Sequence, residues 1–283
     1  MSDIRKCFIS RYPEGKIVEA DFSQLEVVVQ AMLTGSANLI NDIATGADMH
    51  RQRAAKMFGI PEADVTPAQR QAAKACSFQL AYGAGYKSMA AKLKLPEKLT
   101  KAFVDEFFKR YPEIKEYNTL NMKQIELSSK PSSVVDKAGV QLRRGYMSTP
   151  LGRTYSFLQK EFMGSYTFSP TDVSNYPIQG TAADIVAVFR AKLYRALINL
   201  GDDAEQIVPI CTVHDSVVFD CATDEALDLL IAVLDCLMQN LNALLRELFP
   251  ALKTPLQLKL DVKAGKDWME QKKIASLPTG NFA

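Results

Sequence analysis

The chain reads as an α+β protein in which a sheet with packing helices is interrupted by a long helical insertion. Three observations predict this. Short β-type runs sit near the front, at 16–20 (KIVEA), and far downstream, at 207–221 (IVPICTVHDSVVFDC). Apolar stripes at helical period occupy 181–200 and 222–248. From about 41 to 139 the pattern is almost wholly helical. The expected division is therefore 1–40 and 140–283 for the sheet-bearing part and 41–139 for the insertion. With 283 residues, 47% of them hydrophobic, the chain can bury a sizeable core in one or two domains.

Taken in order, KIVEA leads into Asp21 at a strand end, and FSQLEVVVQAML then reads as a turn into a helix. A lone aspartate in such a place is commonly a turn or cap residue. Segment 66–83 (TPAQRQAAKACSFQLAYG) is framed as a helix by its own chemistry. Thr66 stands at the N-cap, Pro67 follows at N1, Gln69 completes a Thr-x-x-Gln capping box, and Gly83 lies just past the end. Along it Arg70, Lys74, Phe78 and Tyr82 recur every four residues and wind into one stripe, two cations followed by two rings. Like charges one turn apart cost a few tenths of a kcal/mol unless an anion lies between them, and a triphosphate is such an anion. By itself the stripe also reads as a solvated basic face running into an apolar core face.

Segment 128–139 (SSKPSSVVDKAG) has the Ser, Pro and Gly content of an exposed loop. Asn175 and Gln179 are four apart near a helix start with Pro177 between them, so their amides share a face. In 207–221 two β-branched runs are separated by His214 and Asp215, which predicts a tight hairpin carrying both polar residues at its tip. Two carboxylates on adjacent strands, Asp21 and Asp215, can hold a pair of Mg²⁺ ions. One ion activates an attacking hydroxyl and the other steadies a leaving pyrophosphate.

Net charge is only +2, so any nucleic-acid surface is a local patch. Cys7, Cys76, Cys211, Cys221 and Cys236 show no Cys-x-x-Cys pairing and sit mostly in apolar runs, as reduced, buried thiols do, and no zinc site is expected. No leader and no stretch of about 18 apolar residues is evident, which implies a soluble cytoplasmic protein without a membrane. There is no internal repeat.

With these residues in view, the chain resembles the family A DNA polymerases. DFSQLE (21–26) is similar to motif A, RQAAKACSFQLAYG (70–83) to motif B on the nucleotide-binding helix, and VHDSVV (213–218) to motif C. Further resemblance lies in DMH (48–50), FFKRYP (107–112), TPLGR (149–153), NYPIQGTAADI (175–185) and LDVKAGKDW (260–268), so nearly the whole chain is covered. YGAG at 82–85 leans toward bacteriophage members.

The resemblance implies a polymerase palm, 1–40 and 140–283, with inserted fingers, 41–139. It implies two Mg²⁺ ions held by Asp21, Asp215 and the backbone carbonyl of Phe22, and dNTPs and primer-template DNA as partners. Arg70, Lys74 and His50 would contact the triphosphate, Lys74 catalytically, while Phe78 would stack on the incoming base and sugar. Gln24 would line the same pocket, and Glu26 with Tyr82 would crowd a ribose 2′-hydroxyl. Arg153 would contact a phosphate, Asn175 and Gln179 the duplex minor groove, and His214 the primer terminus.

Bland readings stand beside several of these. Glu26 also reads as an ordinary first-turn glutamate, His50 as a residue of a helix start, His214 as a turn former and Arg153 as a surface arginine. Ser216, Gln79 and Thr171 depart from the family pattern, since members commonly carry glutamate, glycine and arginine there. Motif A begins 20 residues after Met1, which leads to the expectation that thumb and exonuclease are absent and that a separate polypeptide carries the thumb, and a 3′–5′ exonuclease if there is one. Two other function classes fit parts of the pattern: a single-subunit RNA polymerase, and a non-catalytic DNA-binding or assembly subunit derived from a polymerase.

Overall fold

A computed structural model describes residues 3–46, 48–81, 83–162, 164–250 and 257–280, the side chains of Phe78 and Ala81 excepted. Among the described residues the chain forms, in order, β1 (Lys16–Ser23), α1 (Leu25–Thr34), α2 (Ala37–Ala44), α3 (Met49–Phe58), α4 (Pro67–Ala81), α5 (Tyr86–Leu93), α6 (Glu97–Arg110), α7 (Pro112–Ser128), β2 (Lys130–Val135), β3 (Gln141–Ser148), β4 (Thr154–Leu158), β5 (Lys160–Phe162), β6 (Ser165–Thr167), α8 (Pro170–Leu200), β7 (Ile207–Val213), β8 (Ser216–Cys221), α9 (Asp224–Leu248), β9 (Lys259–Gly265) and β10 (Gln271–Pro278). The α+β class expected from the sequence is the one observed. Two units divide it, one of Met1–Val29 with Thr181–Ala283, the other of Gln30–Gly180.

In the first unit an antiparallel sheet runs β10-β9-β1-β8-β7. Its centre is β1, whose alternation sends Val18, Ala20 and Phe22 into the core. Phe22 meets Phe189 of α8 edge to face, ring centroids 5.0 Å apart. Helix α9 starts at Thr223, whose hydroxyl accepts from the Ala226 amide at 3.1 Å. Its buried Leu227, Leu230, Leu234, Met238, Leu241 and Leu245 form a stripe toward the sheet. Each such side chain contributes about 1.5–3 kcal/mol of burial. By length and composition α9 could cross a membrane, contrary to the expectation that no such apolar stretch exists. A one-sided stripe packed on a sheet is nonetheless what a core helix carries.

Among the described residues, hydrophobic clusters tie the elements of the second unit together. Ala54, Met57, Val65, Ala73, Cys76, Met89 and Phe103 join α3, α4, α5 and α6. Ile125, Met147, Phe157, Phe168 and Val173 join α7 to the sheet β2-β3-β4 and the start of α8. Gly145 is required where β3 passes α7, because a Cβ there would overlap the Ile125 carbonyl.

The string FFKRYP has a structural role in this unit. Asp42 of α2 accepts from Tyr111 Oη at 2.6 Å and from Arg110 Nε and Nη2 at 2.9 and 2.5 Å. Burial opposes ionisation of Asp42, but the Arg110 and Tyr111 hydrogen bonds outweigh it and hold the carboxyl below its ordinary value. Stability from this group is therefore present above pH 3.8 and lost as pH falls through the lowered value. Asp42→Ala strands the Tyr111 hydroxyl and the Arg110 guanidinium, and the expected loss is about 2–4 kcal/mol. The measure is the urea midpoint at pH 7, and an unchanged midpoint would show that water replaces the carboxylate at no cost.

Three local expectations need correction. The loop expected at 128–139 contains β2, whose Lys130 and Pro131 pair with Arg144 and Arg143 of β3. Tertiary pairing outweighs turn-rich composition there, and Pro131 is tolerated on an edge strand. The helix start expected near Asn175 and Gln179 lies earlier, at Pro170, and the helix continues through Pro177 into the stripe at 181–200. Asn175 and Gln179 thus lie inside a helix and not at its start. The Ser174 hydroxyl donates to the Pro170 carbonyl at 2.7 Å, and the Ser169 hydroxyl accepts from the Asp172 amide at 3.3 Å, which secures that first stretch. Among the cysteines, Cys76 and Cys221 are buried, but Cys7 and Cys236 are exposed.

Candidate functional site

Asp21 lies in β1 between two partner strands, with Ser216 of β8 and Asp261 of β9 as its cross-strand neighbours. The β7–β8 connection is a two-residue hairpin loop, His214-Asp215, between paired Val213 and Ser216. His214 takes φ +54°, the sign that primed hairpin turns demand and that histidine tolerates better than most residues. The Ser216 hydroxyl donates to the Val213 carbonyl at 3.0 Å across the turn, and the Phe22 amide donates to the Asp215 carbonyl at 3.3 Å. Ser216 is buried, so the motif C position at which the family commonly carries glutamate here braces the hairpin. The predicted hairpin is thus present, and its tip is tied to the strand bearing Asp21.

The two carboxylates feel each other. Burial first, and then the charge of Asp215, raise Asp21 above its ordinary value against the pull of Lys263. Asp215 is likewise raised, by burial foremost, with its own backbone hydrogen bond and His214 acting the other way. A pair of half-buried carboxylates whose ionisation is mutually opposed is a donor set that a hard divalent cation would relieve. Among the described residues no group of three His, Cys, Asp or Glu side chains could hold a metal. The set fits Mg²⁺, which keeps waters and substrate phosphates in its remaining positions.

Sequence reasoning passed over two residues here. Glu19 lies two positions before Asp21 on the same face of β1, and Lys263 is its cross-strand partner on β9. Lys263 Nζ stands 3.4 Å from Glu19 Oε2 and 3.6 Å from Asp21 Oδ2, while Trp268 Nε1 donates to Glu19 Oε1 at 3.1 Å. The signal was available as period-two alternation along KIVEAD and LDVKAG. Gln24 is exposed with φ +56°, and its carbonyl accepts from the Val27 and Val28 amides at 3.0 and 3.1 Å, which starts α1. Glu26 follows in the first turn of α1, half-buried.

In the second unit, α4 has the capping box read from its sequence. The Thr66 amide donates to Gln69 Oε1 at 2.9 Å and the Gln69 amide to Thr66 Oγ1 at 3.3 Å. Gly83 closes the helix with φ +70°, and a Cβ there would press on the Thr171 backbone. Arg70 does not lie bare beside Lys74. Its Nε is 2.7 Å from Asp48 Oδ2, and Asp48 also caps α3 by accepting from the Arg51 amide at 3.1 Å. His50, in the first turn of α3, is depressed to about 4 by burial and then by the charges of Arg53, Arg70 and Lys74. The structure therefore gathers His50, Arg70 and Lys74 around one positive region. The readings for the Phe78 side chain and for Tyr82 lie outside the described residues.

Arg153 is exposed beside α8, where Gly180 makes room for it. A Cβ on Gly180 would overlap the Tyr155 hydroxyl and come within 3.0 Å of Arg153 Cδ. Asn175 and Gln179 are half-exposed one turn apart, and between them Tyr176 stacks on Phe157 with centroids 5.8 Å apart.

A profile described as DNA polymerase family A matches residues 1–270. DNA polymerase I of Caldicellulosiruptor bescii is 30% identical over 279 residues, covering 95% of this chain and 28% of the relative. The thermostable DNA polymerase I of Thermus aquaticus is 28% identical over 272 residues, covering 95% and 29%. Among solved structures, the POL domain of Pol1 from M. smegmatis, in complex with DNA primer-template and dNTP, matches with a TM-score of 0.68 and 26% identity, over 94% of this chain and 42% of that one. The chain spans 24 to 29% of the length of such curated relatives.

Proposed function

The chain belongs to DNA polymerase family A, and on that footing we propose that it carries out DNA-templated addition of dNTPs to a primer 3′ end. The observation that carries the reading is Asp21 on β1 beside Asp215 at the tip of the β7–β8 hairpin, which the Phe22 amide ties to β1, with each carboxyl raised by burial foremost. Asp21, Asp215 and the Phe22 carbonyl would hold two Mg²⁺ ions. Bound there, Mg²⁺ supplies Lewis-acid activation of the 3′-hydroxyl and neutralises charge on the departing pyrophosphate. The protein's own part is positioning and electrostatics.

In this reading residues 1–40 and 140–283 are the palm and 41–139 the fingers. Arg70, Lys74 and His50 bind the triphosphate, and Lys74 stabilises its charge as the bond breaks. Asp48 holds Arg70 until an anion takes its place, which removes the like-charge cost along α4. Phe78 stacks on the incoming base, and Gln24 lines the same pocket. Asn175 and Gln179 test the minor groove, Arg153 holds a phosphate, and His214 supports the primer terminus. The proposed location is the cytoplasm. A thumb-bearing polypeptide, with a 3′–5′ exonuclease if there is one, is the proposed protein partner. Exposed Tyr194 and Ile198 on α8 and Ile210 on β7 support a protein contact on that unit.

The test is primer extension by the purified protein with dNTPs and with rNTPs at matched salt. DNA synthesis with strong preference for dNTPs is expected. Glu26→Ala is expected to admit ribonucleotides, raising rNTP incorporation by about tenfold or more, since a pocket that excludes one hydroxyl discriminates mainly by crowding. Unchanged sugar selection in that variant would remove Glu26 from the role. Preference for rNTPs by the wild type would favour an RNA polymerase, and DNA binding without any synthesis would favour an assembly subunit.

A further inference from the structure

Lys263 is placed to serve two carboxylates at once, 3.4 Å from Glu19 and 3.6 Å from Asp21. The three side chains share one face of adjacent antiparallel strands, and the sheet register makes Lys263 the cross-strand partner of Glu19. The Lys263–Asp21 pair is about one-third exposed on both sides, so it is open to exchange. The Glu19 side chain is only 12% exposed and is fixed by the Trp268 indole at 3.1 Å. Glu19 is thus the stationary partner and Asp21 the accessible one.

We propose that Lys263 is a resident counter-cation of Asp21 that a divalent metal ion must displace, with Glu19 as the carboxylate on which the displaced ammonium rests. This rests on the reading of Asp21 as a metal ligand. The ammonium is a flexible point charge, able to leave one oxygen for another without a backbone movement. With the metal away it keeps a half-buried aspartate from facing Asp215 uncompensated. With the metal bound, the Glu19 carboxylate spares the protein a lysine pressed against the ion. Lys263 is therefore a positioning residue. It sets how much metal the site requires, and the buried Ser216 contributes no carboxylate that would offset that requirement.

The experiment is titration of the purified protein with Mn²⁺, read by electron paramagnetic resonance of the free ion, for wild type, Asp21→Asn, Lys263→Met and Lys263→Arg. Removing one unit charge from within a few ångströms of a partly screened site is expected to tighten Mn²⁺ binding by about tenfold in Lys263→Met. Lys263→Arg, which keeps the charge, is expected to stay within about threefold of wild type. Asp21→Asn is expected to lose the site. A lysine that only braced the sheet would weaken binding when removed, so tightening is a change that a structural role would not produce. Far-UV circular dichroism checks each fold. If Lys263→Met misfolds, Lys263→Gln takes its place with the same expectation. Unchanged or weaker Mn²⁺ binding in the folded methionine or glutamine variant overturns the proposal while Asp21 stands as a ligand. Unchanged binding in Asp21→Asn overturns the metal-ligand reading itself.

Discussion

Asp21→Asn and Asp215→Asn are each expected to lower primer extension by about a thousandfold or more at ordinary Mg²⁺ concentration, and neither is expected to lower the thermal midpoint at pH 7. The first half follows from the proposed two-metal site, where losing one ligand loosens the hold on both attacking and leaving oxygens. The second half follows from the direction of the carboxyl shifts. Both aspartates are raised in the folded protein, Asp21 by burial and Asp215, and Asp215 by burial foremost. The folded state then holds a proton that the unfolded chain has released, so stability falls as pH rises above 3.8 through the raised value. Each carboxylate is destabilising at pH 7, and a neutral amide of the same shape relieves that strain. A variant that stays active, or one that loses both activity and midpoint, would sink the assignment, the latter by showing a structural role.

Lys74→Ala is expected to reduce kcat/KM for dNTPs by about 100- to 1,000-fold with primer-template Kd held within about twofold. Its charge, in this reading, is worth most while negative charge moves toward pyrophosphate in a site sheltered from water. A separate readout comes from His50. Burial first and the cations Arg53, Arg70 and Lys74 next hold it at about 4, so removing Lys74 lets the imidazole titrate higher in the free protein. NMR titration of the ring carbons measures this without any turnover. Equal losses in DNA affinity and catalysis would place Lys74 on the duplex, and an unmoved His50 would separate the two side chains.

How much was legible beforehand depended on the range of the forces involved. The start and stop of α4 could be read because Thr66, Gln69 and Gly83 act through hydrogen bonds and a backbone conformation within a few residues. The β7–β8 hairpin was legible for the same reason, since two polar residues between β-branched runs leave only a tight turn. Segment 130–135 misled because its composition favours loop while its partner, β3, lies elsewhere in the chain. Pairing energy and burial outweigh local preference at such places.

The sequence by itself determined the α+β class, the capped helix with its basic turns, and the two aspartates at strand and hairpin. Each of these is written in residue types at short spacing. Only the tertiary structure decided which charges meet. Arg70 finds Asp48 across 22 residues, and Lys263 finds Glu19 across 244, beside Asp21. Antiparallel register sets the second meeting, and the packing of α3 on α4 sets the first. Coulomb interactions depend on distance in space and on burial, and neither quantity is encoded in the spacing of residues along the chain.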